Sequence, residues 1–172
     1  MAKTYRVTFF VRLSNKFTAT LLRAGVKLGN MALLTVRGRK SGLPRTTPVT
    51  LVEQDGQRWL IAPFGEVNWV RNLRAAGKAA LTQGRHSETI SVTELTAEEA
   101  APILKQSLAR APSFLRAYFD VTSTSPLKDF EREALNHPVF PVNSEAASGN
   151  GKGMYKFEPA IEGRTAERSE TQ

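Results

Sequence analysis

Cysteine is absent from the 172-residue chain, which excludes disulfides, thiolate nucleophiles and cysteine-held metal clusters. Histidine is almost absent. The two that occur, His86 and His137, are far apart in sequence, so no zinc or iron site is expected. Acids are missing from the whole first part of the chain: ten Lys or Arg residues precede Thr46, and the first carboxylate is Glu53. Long apolar runs are lacking too. Arg6, Arg12, Lys16, Arg23 and Lys27 break up the N-terminal segment before a secretion signal, or a span of about 20 apolar residues, can form. A soluble, cytoplasmic protein is expected.

What remains is an ordinary globular composition, 41% hydrophobic and 23% charged, of a length that suits one domain. Its charge is less ordinary. The net charge is +8 and the isoelectric point is near 10.1, with the acids gathered in the second half. Charge of one sign adds self-repulsion and little stability, so it points to an anionic partner. A phosphorylated cofactor, an anionic lipid surface and nucleic acid are the candidates.

Phe10, Leu13, Phe17, Leu21, Ala24 and Leu28 line one face of a predicted helix over residues 8–29. Arg12, Lys16, Arg23 and Lys27 share a neighbouring strip. Such a stripe normally docks on a core, and the same geometry suits peripheral contact with an anionic membrane. Strands are expected over 31–37, 45–53 and 57–63, the last two joined by the hairpin signal Asp55-Gly56. Asn68 is expected to cap a helix over 69–76 that Gly77 ends in a left-handed conformation.

A second hairpin is expected from 78–83 and 86–95 around Gly84. Thr96 and Glu99 form a capping box for a helix to about residue 111. Helical pieces over 113–120 and 126–136 precede a closing strand over 137–142. The Ser/Ala/Gly/Asn-rich composition beyond residue 143 reads as a tail. Residues 1–29 are thus an amphipathic helix beside the domain, 30–143 the domain itself, and 144–172 the tail. The class is α+β, built around a small antiparallel barrel.

The most motif-like run is Gly38-Arg39-Lys40-Ser41-Gly42, followed by Leu43-Pro44-Arg45, between two strands. Two glycines allow a turn with free N–H groups, while Arg39, Lys40, Ser41 and Arg45 add charge and a hydroxyl. That set suits phosphate. It is not a nucleotide-binding P-loop, because the upstream glycine is missing and a strand follows where a helix belongs. Arg37-Gly38-Arg39 is similar to minor-groove hooks, but it lies between apolar strands and has Lys40 in the place of proline, so no specific nucleic-acid binding is expected. A solvated basic turn is the plain alternative. Downstream, Pro63-Phe64-Gly65 leads directly into a helix N-terminus, which favours an anion or a polar ring edge.

Together these segments resemble the deazaflavin-dependent nitroreductases, a branch of the split β-barrel, FMN-binding-like proteins. The resemblance runs from about Arg6 to Val142. It is carried by Leu34-Thr35-Val36-Arg37 with the basic run, by Arg45-Thr46-Thr47-Pro48-Val49, by the segment 65–74 and by His137-Pro138-Val139-Phe140. It implies a split barrel with an N-terminal amphipathic helix and flanking helices, binding coenzyme F420, with FMN as the alternative cofactor. By resemblance, Arg39, Lys40 and Ser41 hold the anionic phosphate and oligoglutamate tail. Arg45, Thr46, Thr47, Pro48, Val49 and Thr50 line the ring system. Ala62, Pro63, Phe64 and Gly65, with Asn68, Trp69, Val70, Arg71 and Asn72, complete the cofactor site.

The resemblance implies an F420H2-dependent reductase that passes a hydride to a small electrophile such as an activated alkene, an enone or a nitroaromatic. The alternative is a non-catalytic F420, flavin or lipid carrier. Family nitroreductases place tyrosines after a Pro-Ser pair; here Pro112-Ser113 leads to Phe114, with Tyr118 one turn on, as substrate-pocket residues. Some members carry a serine and a lysine where this chain has Phe64-Gly65. No general acid or base is assigned, and both a monomer and a homodimer fit.

Overall fold

The computed structural model describes residues 29–145, together with residues 20, 24 and 26. Apart from those positions, the expected helix over 8–29 and its membrane-facing strip lie outside the described residues, as does everything after residue 145.

Among the described residues six strands follow the expected order, and a seventh, β7, was not expected: β1 (Met31–Arg37), β2 (Pro44–Gln54), β3 (Gln57–Ile61), β4 (Lys78–Gln83), β5 (His86–Ser91), β6 (Val139–Pro141) and β7 (Asn143–Ser144). Helix α1 (Asn68–Ala76) lies between β3 and β4, while α2 (Ala97–Arg110), α3 (Ser113–Arg116) and α4 (Leu127–Ala134) separate β5 from β6. The sheet is ordered β6-β3-β2-β1-β4-β5-β7, with every described pairing antiparallel. Only Val142 separates β6 from β7, so one run of chain lies on both edges of the sheet. This closes it into the expected α+β split barrel.

Strand alternation builds two cores. Ala32, Leu34, Val36, Val49, Leu51, Leu60, Leu81, Ile90 and Phe140 fill the barrel, with Val70 and Leu73 of α1 packed among them. The intervening residues Trp59, Ile61 and Val139 face outward onto Leu104, Leu108 and Phe130 of α2 and α4. Among the described residues, α2 and α4 cover one outer face of the sheet.

The closing seam is polar. Arg58 of β3 grips the Glu88 carboxylate of β5 with both Nη atoms, Nη2 lying 2.9 Å from Oε2. The same Nη2 donates to Ser144 Oγ of β7 at 2.8 Å, and Ser144 Oγ donates to Glu88. Val142 N–H completes the seam on Arg58 O at 2.9 Å.

Local details depart from the sequence expectations in a few places. Asn68 is the first residue of α1, not its cap; Val67 takes the extended cap conformation and no side chain caps it. The reason lies upstream, where left-handed Gly65 accepts from Val67 N–H at 2.8 Å and starts the helix one residue early. Gly77 does end the helix at φ 65°, and the capping box at Thr96 and Glu99 forms. The piece expected over 113–120 contracts to one turn, and Arg116 turns back to donate to the carbonyls of Ala109 and Ala111 at the end of α2. Ser144, read as the start of a tail, sits in β7.

The Arg58 hydrogen bonds hold the Glu88 carboxyl below its usual value of 4.5, against the opposing effect of burial. A carboxylate with a depressed folded value contributes stability above its unfolded pKa, and that contribution is lost as pH falls through the folded one. Glu88→Gln should therefore lower stability by about 1–2 kcal/mol at pH 7, read by urea unfolding. Below about pH 4.5 the gap between the two proteins should narrow. A constant gap at all pH values would remove the seam from this account.

Candidate functional site

The basic run forms the loop between β1 and β2, where Arg37 pairs with Pro44. Gly38 N–H donates to Leu43 O and Gly42 N–H to Gly38 O, each at 2.8 Å, drawing the loop into a tight ring. A Cβ on Gly38 would lie 3.0 Å from Ser41 Oγ and 3.1 Å from Leu43 O, so only glycine fits without displacement. Gly42 is left-handed at φ 68°, and the Arg37 guanidinium packs against its open face.

Few of the loop amides are free, contrary to the expected nest. Arg39 N–H donates to Asn72 Oδ1 at 3.2 Å, and Leu43 N–H donates to Ser41 Oγ at 3.4 Å. With Gly38 and Gly42 also engaged, Lys40 and Ser41 carry the loop amides that lack a partner among the described residues. What the loop offers an anion is therefore mainly side chains. Arg37, Arg39, Lys40 and Arg45 are exposed and none is ion-paired among the described residues.

Asn72 has a structural role that the sequence did not show. It is 6% exposed, and its Oδ1 accepts both Arg39 N–H and Arg39 Nη1–H, the latter at 3.0 Å. Its carbonyl oxygen therefore fastens the loop to α1. No spacing signal links positions 33 residues apart, so only the fold shows it.

The other expected site residues divide. Thr46 shares a hydroxyl contact with Thr35 at 2.9 Å, on the strand that also bears Arg45. Because strand residues alternate, 45–50 cannot present six side chains to one ligand. Thr47 and Pro48 are half-buried, Thr50 is exposed, and Val49 is in the barrel core. Ala62 and Val70 are core residues as well, leaving only their backbone for other contacts. Trp69 packs against Phe140 with ring centroids 6.1 Å apart.

Arg71 lies 3.7 Å from Glu66 at the exposed start of α1, and Arg74 bonds both Glu66 and Glu94. The Arg74 hydrogen bond, with a smaller contribution from Arg71, holds the Glu66 carboxyl below the ordinary carboxylate range. Asn68 is exposed beside this pair, and Pro63 is half-buried in the turn before it. Phe64, in that turn, meets Tyr118 edge-to-face at 4.8 Å and 82°. Phe114 is 66% exposed and outside that contact. A cationic loop, the start of α1 and an aromatic pair thus border the segment 62–72. Among the described residues no cluster of His, Asp or Glu could hold a metal, and no helix is long and apolar enough to cross a membrane.

The site is thus a split barrel whose cationic β1–β2 loop, fastened to α1 by Asn72, offers exposed cations that suit an anionic ligand. Residues 9–126 match the family model of the F420H(2)-dependent quinone reductases, and the chain belongs to that family. It is accordingly an oxidoreductase whose cofactor is coenzyme F420. Among solved structures it is similar to an F420-H2 dependent reductase, FDR-A, at 23% identity and a TM-score of 0.48, over 69% of this chain and 98% of the other. It is also similar to a domain-swapped dimer at 22% identity and a TM-score of 0.49, over 78% and 97% of the two chains. General Stress Protein 26 from Bacillus anthracis str. Sterne follows at 9% identity and 0.45, over 73% and 84%. At these scores they bear on neither substrate nor assembly. No curated protein matches.

Asn72→Ala should weaken F420 binding about 5- to 30-fold, because it removes two hydrogen bonds that orient Arg39. Fluorescence titration reads this, and the barrel should stay folded by circular dichroism. Lys40→Ala and Arg39→Ala should each cost about 1.5–3 kcal/mol of affinity. Unchanged affinity in both would take the loop out of the site.

Proposed function

We propose that this protein is an F420H2-dependent reductase of small, planar, largely apolar electrophiles, with quinones as the first class to test and enones, activated alkenes and nitroaromatics beside them. The observation that carries the reading is the unpaired cationic loop fastened by Asn72 to α1. Three cations and a hydroxyl at Arg39, Lys40, Ser41 and Arg45 fit a phosphate followed by carboxylates, the chemistry of the F420 tail. Ser41 Oγ accepts from Leu43 N–H, which leaves its own hydrogen to donate.

The reduced deazaflavin, when bound, supplies a hydride, which with a proton from solvent turns a quinone into its hydroquinone or an enone into a ketone. The protein contributes position and shielding. In this reading Pro63, Phe64 and Gly65, the exposed Asn68 and Arg71, and the β2 segment from Thr46 border the ring system. Gly65 fixes the shape of this turn: it is left-handed, and a Cβ there would crowd the Asn136 carbonyl at 3.2 Å. The edge-to-face pair of Phe64 and Tyr118 offers an acceptor an aromatic corner, one ring face and one ring edge.

The test is anaerobic oxidation of F420H2 by purified protein with a naphthoquinone, a cyclic enone and a nitroimidazole, followed by deazaflavin absorbance. Turnover of the quinone, with Tyr118→Ala raising its KM about tenfold through lost aromatic contact, is expected. Tight F420 binding without oxidation by any acceptor would instead make the protein a carrier.

A further inference from the structure

Three segments distant in sequence meet at the buried imidazole of His137, which is 5% exposed beside a Glu133 that is 7% exposed. His137 Nε2 lies 3.1 Å from Glu133 Oε1, and Nδ1 lies 3.4 Å from Ala62 O. The Phe119 ring stacks on the imidazole at 4.1 Å and 27°. Glu133 Oε1 also accepts Asp120 N–H at 3.0 Å, and Ala62 N–H donates to Pro138 O at 2.9 Å. Ala62 O in turn accepts Gly65 N–H at 3.0 Å.

These bonds tie together the neighbours of the aromatic corner. Phe64 sits between Ala62, faced by His137, and Gly65, bonded to Ala62. Tyr118 immediately precedes Phe119 and Asp120, which are held by His137 and Glu133. The two rings that meet at 4.8 Å therefore stand on segments sharing one buried anchor. An apolar pair at 133 and 137 would bury as well, but without directed bonds it would not set the spacing of the two segments.

We propose that His137, with Glu133, is a positioning residue for hydride transfer, fixing the segment 62–65 and the Tyr118 ring relative to each other. The proposal rests on the reading that 62–65 borders the deazaflavin ring. The two ring nitrogens of His137 stand between the Ala62 carbonyl at 3.4 Å and the Glu133 carboxylate at 3.1 Å, so one side chain bridges both segments. Acceptor and cofactor meet where these segments meet, and a misplacement of about 1 Å costs on the order of 100-fold in rate.

Hydrogen exchange on the cofactor-free protein tests the linkage without relying on activity. His137→Phe keeps a ring against Phe119 and removes both polar contacts. Amides of Ala62, Gly65 and Asp120 should exchange about tenfold faster, while those of β1 and β4 stay within about threefold. If that variant does not fold, Phe119→Leu approaches the same anchor from the other side and should speed exchange at Ala62 and Gly65. In the F420-loaded protein, kcat should fall about tenfold or more with F420 affinity within about threefold, because the anionic end is held by the loop 38–43, which has no bond to this anchor among the described residues. Exchange at Ala62 and Gly65 unchanged in a folded variant, or faster uniformly across the sheet, overturns the proposal. Failure of the wild type to bind F420 overturns the functional reading instead, and the exchange result still decides the linkage.

Discussion

Barrel closure depends on one short stretch of chain, 139–144, that pairs with β3 through its first half and with β5 through its second. Two edges meet there, and an unpaired edge would leave backbone donors and acceptors without partners. Hydrophobic packing alone does not choose the register of such a seam, since sliding by one residue turns every side chain to the opposite face. Arg58, Glu88 and Ser144 specify it, because their bonds are made only when all three strands are in place. Once the seam is set, alternate residues of β3 and β6 face the barrel interior, and their neighbours face α2 and α4.

The site inherits its shape from that closure. Helix α1 packs Val70 and Leu73 into the barrel, which places Asn72 beside the loop between β1 and β2. Like-charged side chains gathered in one short loop repel one another, and a buried amide oxygen that accepts twice from Arg39 helps hold them there. The positive charge of the first part of the sequence thus has a structural counterpart in the described residues: cations left without carboxylates at this loop, while Arg58, Arg71, Arg74 and Arg132 are paired elsewhere. Glu66, Glu88, Glu94 and Asp129 neutralise these scaffold arginines, and among the described residues no acid pairs with the loop.

Much of this was legible in the sequence where the signal is local. The apolar run 31–37, the Asp55-Gly56 turn, the Gly77 stop and the box at Thr96 and Glu99 each depend on neighbours within a few residues, and each formed. Tertiary effects explain the rest. Asn72 was read as a cofactor contact, and its part as a fastener of the loop went unseen because its partner is far away in sequence. The nest of free amides was overestimated, since bonds within 38–43 and one to Asn72 already use four of the six. Six consecutive strand residues were assigned to one ligand although the pleat divides them between two faces. The spacing of Glu133 and His137 (one helical turn) was visible, but nothing local linked it to Ala62.

The central claim is that the loop fastened by Asn72 holds a deazaflavin with a long anionic tail. The most direct measurement is a pair of titrations of the purified protein with F420 and with FMN, read by the fluorescence of Trp59 and Trp69. The account predicts saturable F420 binding at micromolar concentrations or below, weakened by added salt, with FMN at least about tenfold weaker because its tail carries less charge. Equal affinity for FMN, or F420 binding indifferent to salt, would contradict it.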